Sequence, residues 1–201
     1  MHLSDKLNED QSKDYDSIMG VIRRKESRVF FVDGPGGTGK TFLYRAILST
    51  IRRNGGISIA AATSGVVATM LPGGRTAHLR FKLPFTPATT STCDIAKNDK
   101  LVDLLRQATV IMLDEATMAH RYYVEAFDTT MRDITGNKNP FGGMIIIMGG
   151  DFRQVLPVVP KASRGKMVDS CLTRSDLWRH VEVLRLKKNM RAVGDTSYSK
   201  Q

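Results

Sequence analysis

The chain has 201 residues, 41% hydrophobic and 25% charged, with 30 Lys and Arg against 20 Asp and Glu for a formal net charge of +10. At roughly 100–200 residues per domain this is one core-forming domain with trimmings, which excludes a disordered chain. The longest apolar runs, Val110–Leu113 and Met144–Met148, are strand-sized, and the first thirty residues open acidic without an apolar stretch; neither a membrane-spanning helix nor a secretory signal is expected.

In chain order, Asn8 caps a helix carried by Ile18, Val21 and Ile22 and ending near Arg24. Arg28–Asp33 is a short apolar strand, broken by Gly34-Pro35-Gly36-Gly37. After Lys40 the spacing of Phe42, Leu43, Ala46, Ile47 and Ile51 is helical, and Asn54-Gly55-Gly56 stops it. Ile57–Ala61 is a second strand and Ser64–Leu71 a short helix; Pro72 to about Asn98 is irregular. Lys100–Gln107 is helical, Val110–Leu113 a third strand, Arg121–Ile134 a helix, Met144–Met148 a fourth strand and Val181–Leu186 a fifth. Strands that are apolar throughout, alternating with helices, predict an α/β, doubly wound, mostly parallel sheet with helices on both faces. Strand order is not readable from this pattern.

Cys93 and Cys171 stand far apart with no CxxC, which fits neither a zinc site nor a disulfide framework and makes a reducing, intracellular setting the default. Positive charge concentrates late: Arg153 to Arg191 holds ten Lys and Arg against Asp169, Asp176 and Glu182. Such a field suits a polyanion, nucleic acid first; the alternative is a merely soluble basic surface.

Gly34-Pro35-Gly36-Gly37-Thr38-Gly39-Lys40-Thr41 satisfies G-x-x-x-x-G-K-[ST] between a strand and a helix. Gripping a triphosphate takes many donors in a small volume. Glycines let successive backbone N–H groups point into one concavity, and the helix adds its positive end. Lys40 then reaches the terminal phosphates and the Thr41 hydroxyl binds Mg²⁺. The second half of an ATP site is expected at a neighbouring strand end, where Val110–Leu113 runs into Asp114 and Glu115. Asp114 would hold Mg²⁺, and Glu115 would polarise the attacking water. An acidic pair after a strand is alone a weak signal, because helix starts favour acids.

The ordered set Leu7-Asn8-x-x-Gln11, the glycine loop, Ala62-Thr63-Ser64-Gly65 with Gly74-x-Thr76-Ala77-His78, Asp114-Glu115-Ala116, Gly149-Gly150-Asp151-x-Arg153-Gln154-x-x-Pro157-Val158 and Leu186-x-x-Asn189-Met190-Arg191 resembles the Pif-type (petite integration frequency) DNA helicases of superfamily one, in their Helitron-like branch. The resemblance runs from about Leu7 to Arg191. It implies a RecA-like first motor lobe of an ATP- and Mg²⁺-dependent 5′→3′ helicase acting on single-stranded DNA in repair, recombination and telomere maintenance, in the nucleus or the mitochondrion. The implied organisation is an adenine-reading helix over 1–27, the ATPase lobe over 28–191 and a polar tail over 192–201, with the second RecA-like lobe not in this chain.

Carried onto matching positions, Gln11 would read adenine, Gln154 would sense the γ-phosphate, and Arg191 would be the arginine finger. A solvated helix glutamine and a surface arginine are the alternatives for Gln11 and Arg191. DNA would lie along Thr63, Ser64, Arg75, His78, Arg80, Phe81 and Lys82, where charge is interleaved with one aromatic. The alternatives are a core role for Phe81 and a structural one for His78; Arg153 is expected to tie down Asp151 or Glu115. Leu79 stands where the family pattern has a small hydroxyl residue, and Thr117 is a mild variant. Two other functions compete: a degenerate transposon-derived module that binds ATP and DNA without turnover, and a small-molecule kinase, which the acidic pair and Gly-Asp-x-Arg-Gln disfavour.

Overall fold

The computed structural model describes residues 2–154, 157 and 163–190. Helix α1 (Glu9–Arg24) starts at Asn8, whose side chain accepts a hydrogen bond from the Gln11 amide (2.9 Å), while Gln11 Oε1 accepts one from the Asn8 amide (3.1 Å). This reciprocal box satisfies two of the donors that a helix start leaves free. Strand β1 (Val29–Asp33), helix α2 (Lys40–Arg53), strand β2 (Ile57–Ala62) and helix α3 (Gly65–Met70) follow.

The stretch expected to be irregular holds a two-residue strand β3 (Arg75–Thr76) and a one-turn helix α4 (Ala77–Phe81). Both are too short to display a period. Then come α5 (Lys100–Gln107), β4 (Ala108–Asp114), α6 (Arg121–Thr135), β5 (Ile146–Gly150), α7 (Arg164–Asp169) and β6 (Val181–Arg185). Strand β5 sits two residues later than the apolar run suggests, because Gly149 and Gly150 pair with Val32 and Asp33 of β1.

The six strands form one sheet in the order β3-β2-β4-β5-β1-β6, every pair parallel. Alternate side chains divide the core in two. Val29, Phe31, Ile111, Leu113, Ile146 and Met148 pack with Leu105 of α5 and Val124, Phe127 and Met131 of α6. Phe30, Val32, Val110, Met112 and Ile147 pack with Ile18 of α1 and Leu43, Ile47, Leu48 and Ile51 of α2. Burial on both faces explains why these strands read as continuous apolar runs rather than alternating ones.

The order matters for function. Strand β5 separates β1, which ends at the phosphate loop, from β4, which ends at Asp114. Everything that leaves the carboxyl end of β5 therefore emerges between the loop and the carboxylate.

Ile147 is fully buried at the centre of this sheet. Ile147→Ala is expected to destabilise the fold by about 2–5 kcal/mol, read as a lower urea midpoint at unchanged slope.

Candidate functional site

Three fixed points hold the glycine loop. The Gly34 amide donates to the Gly150 carbonyl of β5 (3.3 Å). Gln11 Nε2 donates to the Thr38 carbonyl (3.0 Å), and the Met190 amide donates to the Gly37 carbonyl (2.9 Å). Within the loop, Thr38 Oγ1 donates to the Pro35 carbonyl (2.8 Å) and the Lys40 ammonium to the Gly34 carbonyl. Gly39 lies in the left-handed region (φ 80°), and a side chain there would also run into the Gln11 amide. The loop thus turns at a position only glycine fills, and α2 begins immediately after it.

Gln11 is almost fully buried, and its carboxamide is bonded to Asn8 and to the loop. It is not a solvated helix residue. Asn8 Nδ2 donates to Met190 Sδ (3.0 Å), so the start of α1 and the segment after β6 meet beside the loop.

Asp114 ends β4, buried, with Oδ1 accepting the Glu115 amide (2.8 Å). Burial raises its carboxyl to about 6; the Glu115 amide bond lowers it, the Glu115 charge raises it and Lys40 lowers it. Glu115 is half-buried and takes left-handed backbone angles (φ 55°, ψ 33°), which turn the chain abruptly out of the strand. A non-glycine residue is uncommon there, and its strain is characteristic of functional positions. Thr63 pins this turn from the neighbouring strand end: its amide donates to the Asp114 carbonyl (3.1 Å) and Oγ1 to the Glu115 carbonyl (2.9 Å).

After β5, Arg153 Nε and its own amide both bond to Asp151 Oδ1 (3.2 and 3.0 Å). Of the two carboxylates considered for Arg153, the structure selects Asp151. Gln154 is exposed, and its Nε2 lies 3.7 Å from where a Cβ on Gly36 would stand, so its amide reaches the loop. Arg191 and Val158 lie outside the described residues.

Along the segment expected to meet DNA, Ser64 caps α3 without a side-chain bond, and Arg75 is exposed. His78 is half-buried and packs edge-on against Tyr123 (4.7 Å). Arg80 donates to the Gly73 carbonyl (2.6 Å); burial first, then the Arg75 and Arg52 charges, hold its guanidinium below the usual value. Arg52 joins this cluster from α2, and its long separation in sequence hid it. Phe81 is a correction: it is 1% exposed and packs on Phe127 (4.2 Å between centroids), so it belongs to the core rather than to a stacking surface. It lies one turn after the buried Ala77, on the same inward face of α4. The free aromatic nearby is Phe85, 97% exposed; the signal in the sequence was Pro84 and Pro87 flanking a large apolar side chain.

A parallel sheet with a phosphate loop after β1, carboxylates after β4 and a polar side chain delivered between them by β5 defines a RecA-like phosphate-loop fold. The family model described as PIF1-like helicase matches residues 6–201, and the chain belongs to that family. It is 29% identical over 157 residues to the ATP-dependent DNA helicase PIF7 of Trypanosoma brucei brucei, covering 76% of this chain and 15% of that protein. It is 31% identical over 163 residues to mouse ATP-dependent DNA helicase PIF1, covering 79% and 23%. Among solved structures, Bacteroides Pif1 helicase in complex with ADP-AlF3 and ssDNA superposes with a TM-score of 0.74 at 27% identity, over 89% of this chain and 42% of that one. The chain thus spans less than a quarter of these two curated relatives.

Asp14, one turn after Gln11 on α1, is buried with Oδ2 unpartnered among the described residues. Burial, with help from Asp10 and against Lys13, raises its carboxyl to about 6. Because the folded value lies above the unfolded value of about 3.9, its contribution to stability is full below about pH 4 and lost as pH rises through about 6. Asp14→Asn is expected to flatten that slope and to stabilise the protein at pH 8 by on the order of 1–2 kcal/mol, measured as urea midpoints at pH 4 and pH 8.

Proposed function

We propose that the chain is the first motor lobe of an ATP-dependent DNA helicase, coupling ATP hydrolysis to 5′→3′ movement on single-stranded DNA. The observation that carries this reading is the meeting of Lys40, Asp114, Glu115 and the Gln154 amide around one phosphate loop, with Thr63 joining that centre to the basic segment after β2. Family membership supports the same reading, as does the Bacteroides relative in complex with ADP-AlF3 and ssDNA.

Residues 34–41 would hold the triphosphate. The Thr41 hydroxyl and the Asp114 carboxylate are hard oxygen donors of the kind Mg²⁺ takes, and the half-buried carboxylate of Glu115 beside them suits a base for water. Held by Thr41 and Asp114, the cation would supply positive charge against the triphosphate. Lys40, released from the Gly34 carbonyl, would neutralise the terminal phosphates, and Gln154 would register the γ-phosphate. Gln11 would present its remaining amide capacity to adenine from a site already fixed by Asn8 and Thr38, and Arg191 would act as the finger. The proposed division is the adenine-reading helix over 1–27, the ATPase lobe over 28–191 and a tail beyond, working with a second RecA-like lobe in an intracellular setting, the nucleus foremost. Repair, recombination and telomere maintenance would be the processes it serves.

For DNA, the Arg52, Arg75 and Arg80 cluster repels itself and is relieved by a phosphate backbone. Phe85, rather than Phe81, would stack on a base, and Thr63, Ser64 and His78 would line the path between the cluster and the ATP centre.

The test is ATP turnover with and without single-stranded DNA. DNA-stimulated turnover that Lys40→Ala, Asp114→Asn and Glu115→Gln each abolish is the expected result; tight nucleotide binding without turnover would identify a binding module, and phosphate appearing on a small acceptor a kinase. DNA affinity should fall at least tenfold between about 50 and 200 mM salt. Phe85→Ala should weaken DNA binding by about 1–3 kcal/mol at unchanged melting temperature, whereas Phe81→Ala should lower the melting temperature. Equal effects on DNA binding from the two variants would reject the reassignment.

A further inference from the structure

Tyr44 lies one turn after Lys40 on α2, on the face turned to the sheet. It is fully buried, and its hydroxyl has no hydrogen-bond partner among the described residues. An unpaired buried hydroxyl is destabilising, and phenylalanine would fill the same space without that cost. The core therefore gives no reason for the oxygen.

Its surroundings do. A Cβ on Gly149 would clash with the phenol oxygen, and Asp114 Oδ1 lies 3.0 Å from that same Cβ position. Gly149 thus leaves room for the hydroxyl, which borders the same space over β5 as the Asp114 carboxylate. A phenol keeps its proton at neutral pH and so can act as a donor. Oδ1 already accepts the Glu115 amide (2.8 Å), which marks it as the oxygen held by the protein.

We propose that Tyr44 is a positioning residue for Asp114: its O–H donates to Asp114 Oδ1 when the cation and nucleotide are bound, fixing the carboxylate and leaving the other oxygen to the cation. This rests on the ATP and magnesium reading above. Hydrogen bonds to a ligating carboxylate from outside the metal's own shell are typically worth 10–100-fold in metal affinity. No feature of the glycine-loop motif asks for a tyrosine at this place, and its hydroxyl fits only because position 149 is glycine.

The experiment titrates Mg²⁺ against the protein and a fluorescent, slowly hydrolysed ATP analogue, reading analogue binding rather than turnover. Tyr44→Phe is expected to raise the Mg²⁺ concentration at half-effect at least about tenfold while leaving analogue affinity without Mg²⁺ within about twofold. The melting temperature should not fall, since only an unpaired hydroxyl is removed. In an Asp114→Asn background, Tyr44→Phe should add less than about twofold, because the carboxylate it positions is gone. A Mg²⁺ midpoint unchanged in Tyr44→Phe overturns the inference alone, as does a Tyr44→Phe effect that persists in full beside Asp114→Asn. A wild-type protein whose analogue binding ignores Mg²⁺ overturns both this inference and the reading beneath it.

Discussion

The structure depends on holding a glycine-rich loop open against its own flexibility. Backbone amides converge on one anion only if the loop has few conformations to choose from, and glycines supply many. Here the restraint comes from outside the loop. Gln11 near the start of the chain, Gly150 at the end of β5 and Met190 after β6 each bond one of its backbone groups. The concavity is thus built jointly by segments remote in sequence, so the order of strands in the sheet and the geometry of phosphate binding are one problem.

The elements most legible in the sequence were those with long apolar signals. Strands β1, β2 and β4, and helices α1, α2 and α6, follow from runs such as Val110–Leu113 and spacings such as Leu43, Ile47 and Ile51. The loop, Asp114 and Glu115 were legible because their chemistry needs a fixed spacing. What was hidden was anything set by contact across the sequence. Gly149 and Gly150 carry no strand propensity, yet they extend β5 by pairing with β1, and the space a side chain would need there is taken by Tyr44 and Thr117. Phe81 and Phe85 are the same residue type four positions apart; only the packing of α4 on α6 sends one inward and leaves the other in solvent.

The same contacts join the two ends of the proposed chemistry. Thr63 belongs by sequence to the segment that follows β2, but both its backbone and its hydroxyl are bonded at the Asp114-Glu115 turn. In the proposed reading, a phosphate gripped after β2 would act on a residue already attached to the backbone of Glu115, itself held in left-handed angles. A small shift at such a junction would then reach the carboxylate directly, with no chain of intermediates.

Strand β1 finds both its neighbours late: Val29 pairs with Ile146 on one side and Val181 on the other. During synthesis at ~5–20 residues per second, the Phe30–Val32 stretch waits several seconds for its first partner and longer for its second. Such distant pairings are entropically slow to close. The nucleotide cradle is consequently among the last features to take shape on the ribosome, and the nascent chain carries an uncovered, aggregation-prone strand until then, a state in which chaperone assistance has the most to offer.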